Sequence, residues 1–148
     1  MFEIQGNLWK LPADIICVTT NGFVKADGKA VMGRGCAKEA TKLIPGIEEE
    51  LAKKIKTHGN NVAYLAEHRG RKILSFPVKH NWWEEASLEL IERSCQQLKF
   101  YVNDIYNNQR RFIVVPRPGC GNGKLEWIDV KPICEEYFDD RFGVVTYV

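Results

Sequence analysis

The sequence predicts an α/β fold, a mainly parallel sheet covered by helices on both faces. Three observations carry that expectation. Segments with strand character alternate with segments of helical periodicity, the pattern of parallel β-α units. The run Asp14-Ile15-Ile16-Cys17-Val18-Thr19-Thr20 is short, apolar and rich in β-branched residues, as a central strand buried on both faces must be. Two glycine-rich segments each follow the end of a predicted strand, and sheets of this kind bind ligands beyond the carboxyl ends of their strands.

In chain order, Phe2–Gln5 reads as a short strand and Asp14–Thr20 as the central one. A long loop with Gly22, Gly28, Gly33 and Gly35 leads into a helix over Cys36–Leu43, stopped by Pro45-Gly46. Ile47–His58 is a second helical pattern, closed by Gly59. Asn61–Ala66 and Lys72–Phe76 read as strands around Arg69-Gly70. Leu88, Ile91, Cys95, Leu98, Val102 and Ile105 recur at spacings of three and four, which marks an amphipathic helix, and Ser87 stands where its N-cap belongs. Arg111–Val115 is a strand ended by Pro116, and the second glycine-rich loop, Gly119-Cys120-Gly121-Asn122-Gly123, follows. Val130–Phe138 is a short helix that tolerates Pro132 in its first turn, and Val144–Val148 is a closing strand.

A chain of 148 residues has the length of one domain, here read as residues 1–148, and can bury a core without a disulfide or a structural metal. A net charge of +2 is too small for a general nucleic-acid binder, though it leaves room for recognition of one modified nucleotide. The five cysteines form no C-x-x-C pair and no zinc-finger spacing, so they read as reduced thiols of a cytosolic protein. No signal peptide and no membrane-spanning run is visible. The expectation is a cytoplasmic monomer with no metal and no cofactor.

Glycine loops after strands suit a diphosphate. The bare backbone approaches closely, its N–H groups cradle anionic oxygens, and a helix starting at the loop adds partial positive charge. Met32-Gly33-Arg34-Gly35-Cys36-Ala37 opens a helix in this way. Either loop alone is more simply a tight turn. Neither is a dinucleotide fingerprint or a P-loop: Lys38 replaces the last glycine of G-x-G-x-x-G, Pro118 holds the place of the first P-loop glycine before Gly123-Lys124, and Leu125 follows that lysine. Two such loops lining one crevice favour an anionic ligand. Asn21, at the end of the central strand, carries an amide that both donates and accepts and so suits ribose hydroxyls, although Asn before glycine also initiates turns.

Four segments in order resemble the macro-domain family. Val18-Thr19-Thr20-Asn21-Gly22 is similar to the V-N-x-x-N signature that ends that family's central strand. Val31-Met32-Gly33-Arg34-Gly35-Cys36-Ala37 resembles its following glycine loop, Val115-Pro116-Arg117-Pro118-Gly119-Cys120-Gly121 its second phosphate loop, and Gln5-Gly6-Asn7-Leu8 its G-D-I/L segment. The match runs from Ile4 to Tyr147. It implies a three-layer α/β/α fold with a central mixed, mostly parallel sheet that binds ADP-ribose. By it, Gly33, Arg34, Gly35 and Cys36 on one side and Pro118, Gly119, Cys120, Gly121, Asn122 and Gly123 on the other embrace the diphosphate. Asn21 would contact the distal ribose, and Asn7, followed by Leu8, would sit where the family carries an adenine-binding Asp. Tyr147 on the last strand is a candidate to pack on the adenine. Thr19 departs from the first signature Asn, and Asn7 keeps a carbonyl acceptor without the charge.

Phe76-Pro77-Val78-Lys79-His80-Asn81-Trp82, followed by Ser87-Leu88-Glu89-Leu90-Ile91, resembles the DNA ADP-ribosylation antitoxins and the terminal ADP-ribose glycohydrolase branch. That resemblance implies a catalytic role for Lys79 in removing ADP-ribose from DNA or protein. A partly desolvated lysine can attack an anomeric carbon or stabilise developing negative charge, whereas most lysines are solvated surface residues. The branch also uses an acid in its second loop, where this chain has Gly123. Trp82 and Trp83 offer stacking surface, with one of them expected in the core, and His80 is an exposed residue within reach of acid–base work. Three readings stand: a hydrolase releasing ADP-ribose from a modified target, a non-catalytic ADP-ribose reader, and a phosphatase acting on ADP-ribose 1″-phosphate.

Overall fold

In a strand buried on both faces, successive side chains serve opposite layers. β2 (Ile15–Asn21) does so: Ile15 and Cys17 enter one core, Ile16 and Val18 the other. The computed structural model describes residues 1–147 and places β2 near the middle of a six-stranded sheet. Its companions are β1 (Phe2–Gln5), β3 (Ala63–His68), β4 (Arg71–Lys79), β5 (Ile113–Pro116) and β6 (Phe142–Thr146). The order is β1-β6-β5-β2-β4-β3, parallel throughout except for the antiparallel pair β3–β4.

The first core joins the sheet to α3 (Leu88–Tyr106) and α4 (Trp127–Tyr137) through Ile91, Cys95, Leu98, Val102, Val130 and Cys134. The second joins the opposite face to α1 (Gly35–Leu43), α2 (Ile47–His58) and a single 3-10 turn over Leu8–Lys10. The result is the three-layer α/β/α arrangement. The expected N-cap is present, since Ser87 Oγ accepts from the Leu90 N–H at 3.2 Å. No helix among the described residues is long and apolar enough to cross a membrane.

Several boundaries differ from expectation for local reasons. β4 continues through Pro77 to Lys79 instead of ending at Phe76. Proline cannot donate to a ladder, but β3 pairs with β4 only as far as Ser75, so nothing on that side asks Pro77 for a proton. β3 begins at Ala63, because the Val62 N–H donates instead to the Gln97 side chain on α3, whose amide nitrogen donates in turn to Asn61 Oδ1. α4 starts at Trp127, which puts Pro132 beyond the first turn and costs the helix one internal hydrogen bond. Leu88 and Ile105, at the two ends of α3, are exposed rather than packed. β6 ends at Thr146, and Val148, expected in the closing strand, lies outside the described residues.

Two features at the end of β4 position the site. The β2–β4 register slips by one residue between Thr20 and Asn21, a bulge that sets Asn21 opposite Lys79. Ser94 Oγ, fully buried, donates to the Pro77 carbonyl at 2.6 Å and ties α3 to the strand just before Lys79. Ser94→Ala leaves that carbonyl buried without this donor. The expected loss is about 1–3 kcal/mol, read as a lower urea midpoint at unchanged slope. An unchanged midpoint would show that the bond contributes nothing.

Candidate ligand-binding cleft

A cleft of about 520 Å³ opens at the carboxyl ends of β2, β4, β5 and β6, a size suited to a nucleotide-like ligand. Both glycine-rich loops line it. Lys79 on β4 and Tyr147 after β6 also line it, on strands three spacings apart, so roughly 14 Å of cleft separates them.

The first wall starts at Asn21. Its amide Nδ2 donates to the Val31 carbonyl at 3.1 Å, and its Oδ1 accepts from the Phe23 N–H at 3.0 Å. The side chain thus folds the long loop back on the strand end and presents Gly33, Arg34, Gly35 and Cys36 to the cleft. Gly35 opens α1 at φ +59°, a conformation that favours glycine. No side chain caps α1 and no acid stands in its first turn, so its N-terminal N–H groups remain free to meet an anion.

The second wall is a loop packed tightly from behind. At Gly119, with φ +74°, an added Cβ would lie 2.8 Å from Ala86 Cβ. At Gly123 it would lie 2.5 Å from the Gly119 carbonyl oxygen. No acid fits at Gly123 without rebuilding the loop, so the carboxylate expected from the resemblance is sterically excluded. Gly33 and Gly121 are different: an added Cβ at either meets nothing within 4 Å.

Lys79 closes the cleft where the walls meet. Its Nζ donates to the Asn122 carbonyl at 3.1 Å and lies 3.4 Å from that of Trp82. Its own carbonyl accepts from the Asn60 amide at 2.9 Å. Partial burial lowers its pKa from the ordinary lysine value, and the Arg34 and Lys124 cations lower it further. Three other side chains of the cleft, Cys36, Cys120 and Tyr147, move away from neutrality. Burial raises the Cys36 thiol, pushes Cys120 up to about 11, and, with a hydrogen bond to Glu39, raises the Tyr147 phenol. Among the described residues no carboxylate or imidazole lines the cleft.

Of the residues singled out from sequence, Asn21, Gly33, Arg34, Gly35, Cys36, Lys79, Gly119, Cys120, Gly121, Asn122, Gly123 and Tyr147 share this one cleft. Three do not line it. Leu8 is fully buried in the second core, and Pro118 is buried beneath its loop. Asn7 caps the 3-10 turn by accepting from the Trp9 N–H at 3.0 Å. The neighbouring Gly6 N–H donates to the Thr146 carbonyl at 3.0 Å, which keeps this segment beside the Tyr147 end.

Trp82 and Trp83 are both exposed, at 52% and 59%, which corrects the expectation that one would pack in the core. His80 is exposed and points no contact into the cleft lining, while its carbonyl accepts from the Gly22 N–H. Sequence reasoning missed Thr20 and Arg117. Thr20 lines the cleft with its hydroxyl buried and without a hydrogen-bond partner among the described residues. Arg117 lies over the Trp127 ring and bonds to Glu3 at 3.2 Å, with its Nε in the same unpartnered condition. Their adjacency to Asn21 and Pro118 was the available signal.

No protein-family model matches the chain. A DNA ADP-ribosyl glycohydrolase of Thermus aquaticus is 26% identical over 151 residues, covering 98% of this chain and 39% of that protein. The chain therefore spans about two fifths of that curated relative. Among solved structures, the macrodomain of Mycobacterium tuberculosis DarG superimposes with a TM-score of 0.78 at 23% identity, covering 99% of this chain and 97% of that one. The macrodomain of Thermus aquaticus DarG gives 0.76 at 25% identity, with 99% and 97% covered. Thermosipho africanus DarTG, solved in complex with ADP-ribose, gives 0.76 at 21% identity over 97% of this chain and 40% of that one. The chain is thus a macrodomain in fold, similar along nearly its whole length to the macrodomain of DarG.

Proposed function

We propose that the chain holds ADP-ribose in this cleft and releases it from ADP-ribosylated DNA. The observation that carries the catalytic part is Lys79: it lines the cleft with its Nζ 3.1 Å from the Asn122 carbonyl of the second glycine loop, where burial and two cations lower its pKa. The similarity to a protein named for glycohydrolysis of ADP-ribosylated DNA supports the choice of target. The free thiols fit a reducing compartment and so a cytoplasmic setting.

In this reading the diphosphate lies between the two glycine loops, where backbone N–H groups meet its oxygens. The adenine lies at the Tyr147 end. The distal ribose lies under Asn21, with the Thr20 hydroxyl and Lys79 beside it, which gives that buried hydroxyl a partner. The neutral Lys79 amine attacks the anomeric carbon. A C–N bond forms, the bond to the base breaks, and the base leaves with the electron pair and takes up a proton. Water then adds to the anomeric carbon, ADP-ribose departs, and the amine is regenerated. The absence of an acid at Gly123 favours a pure reader instead, and activity separates the two.

Lys79→Ala and Lys79→Arg should both abolish release in single-turnover assays on ADP-ribosylated DNA, since a guanidinium stays protonated and is a poor nucleophile. Binding of free ADP-ribose should change by less than about tenfold, roughly 1.4 kcal/mol. Release by Lys79→Ala would remove the residue from the mechanism. Because the neutral amine reacts, the rate should rise with pH through a Lys79 pKa below the ordinary lysine value. Lys124→Ala removes a cation that depresses that pKa, so the rise should move to higher pH; an unmoved profile would show that another group titrates. Gly121→Val should fold normally, since an added Cβ there meets nothing within 4 Å, yet weaken ADP-ribose binding more than tenfold in calorimetry. Unaltered binding would place the diphosphate elsewhere.

A further inference from the structure

Trp82, Trp83 and Phe23 form a chain of edge-to-face rings that starts at the cleft with Trp82. The Phe23 and Trp83 centroids are 5.4 Å apart, and those of Trp83 and Trp82 are 5.5 Å apart. Trp82 belongs to both structures: it lines the cleft, and its carbonyl faces Lys79 Nζ. Two adjacent tryptophans left more than half exposed are unusual, because this side chain normally buries most of its area.

We propose that Trp82 and Trp83 are specificity-determining residues, a stacking platform for the unpaired base attached to ADP-ribose and for the base next to it. The inference rests on the hydrolase reading above, which places the scissile bond beside Lys79. Whatever is attached to the anomeric carbon leaves the cleft there and meets Trp82 first, then Trp83. Flat aromatic faces reward a flat partner, and base–aromatic stacking contributes about 1–3 kcal/mol per base without regard to sequence. The charge fits a nucleic-acid strand: Arg34 lines the cleft, and with Lys124 it lies close enough to act on the Lys79 amine, so positive charge stands beside the scissile bond. The nearby Glu84 carboxylate is occupied by the Asn81 amide at 2.7 Å.

The test compares single-turnover release from three probes: a short single strand carrying one ADP-ribosylated base, the same ADP-ribosylated nucleoside alone, and an ADP-ribosylated glutamate peptide. Trp83→Ala should raise the half-saturating concentration of the strand about tenfold and leave its plateau rate unchanged. The nucleoside and the peptide should be unaffected. Trp83→Phe should restore most of the loss, which a merely structural role would not require. Trp82→Ala should weaken both strand and nucleoside. Equal shifts for strand and nucleoside in Trp83→Ala, or no shift in either, overturn the platform. Wild-type protein inactive on every probe refutes the hydrolase reading alone. Tryptophan fluorescence then decides: quenching by the modified strand that Trp83→Ala reduces supports the platform, and absence of quenching overturns it.

Discussion

The bond from Lys79 Nζ to the Asn122 carbonyl, 3.1 Å long, joins the end of a central strand to the tip of the second glycine loop. Most of the site follows from having to make that contact. The strand must reach Lys79, so it passes through Pro77. The loop must come down over the strand ends, so Gly119 and Gly123 stand where any side chain would strike Ala86 or the loop's own backbone. The bulge opposite Asn21 sets the lysine at the edge of the cleft.

The contact also shapes the chemistry. A lysine that donates to carbonyls is held still, while burial and two neighbouring cations work against its charge. Placement and a lowered pKa together are what a nucleophilic amine needs, because its reactive form must be populated where the substrate is bound. The remainder of the cleft is built to bind. Its walls present backbone N–H groups, an uncapped helix N-terminus and the Thr20 hydroxyl, all of which suit phosphate and ribose oxygens. Glycine matters there in two ways: Gly119 and Gly123 allow the loop to pack, whereas Gly33 and Gly121 leave open space in front of it, the space the proposed reading gives to the diphosphate.

The layered fold was legible because it follows from patterns that local sequence carries: β-branched runs, one clear amphipathic helix, and glycine after strand ends. The convergence of both loops on one cleft was legible for the same reason, since the topology of parallel sheets brings strand ends together. What was hidden depended on neighbours distant in sequence. Pro77 reads as a strand terminator unless the length of β3 is known. Leu8 sits in a motif that resembles a ligand segment, yet its side chain completes the second core. Tryptophan buries most of its area on average, and nothing local in the sequence indicates that both Trp82 and Trp83 stand more than half exposed. The steric need for Gly123 comes from Gly119 and Ala86, which no linear motif relates to it.

A crystal structure of the protein with ADP-ribose bound tests the central claim most directly, that diphosphate recognition by the two loops delivers the anomeric carbon to Lys79. The expected result places the phosphate oxygens within hydrogen-bonding distance of backbone N–H groups at Gly33–Cys36 and Gly121–Gly123. It also places the anomeric carbon of the distal ribose next to Lys79 Nζ. A diphosphate bound away from either loop, or a distal ribose turned toward Tyr147, would contradict the account.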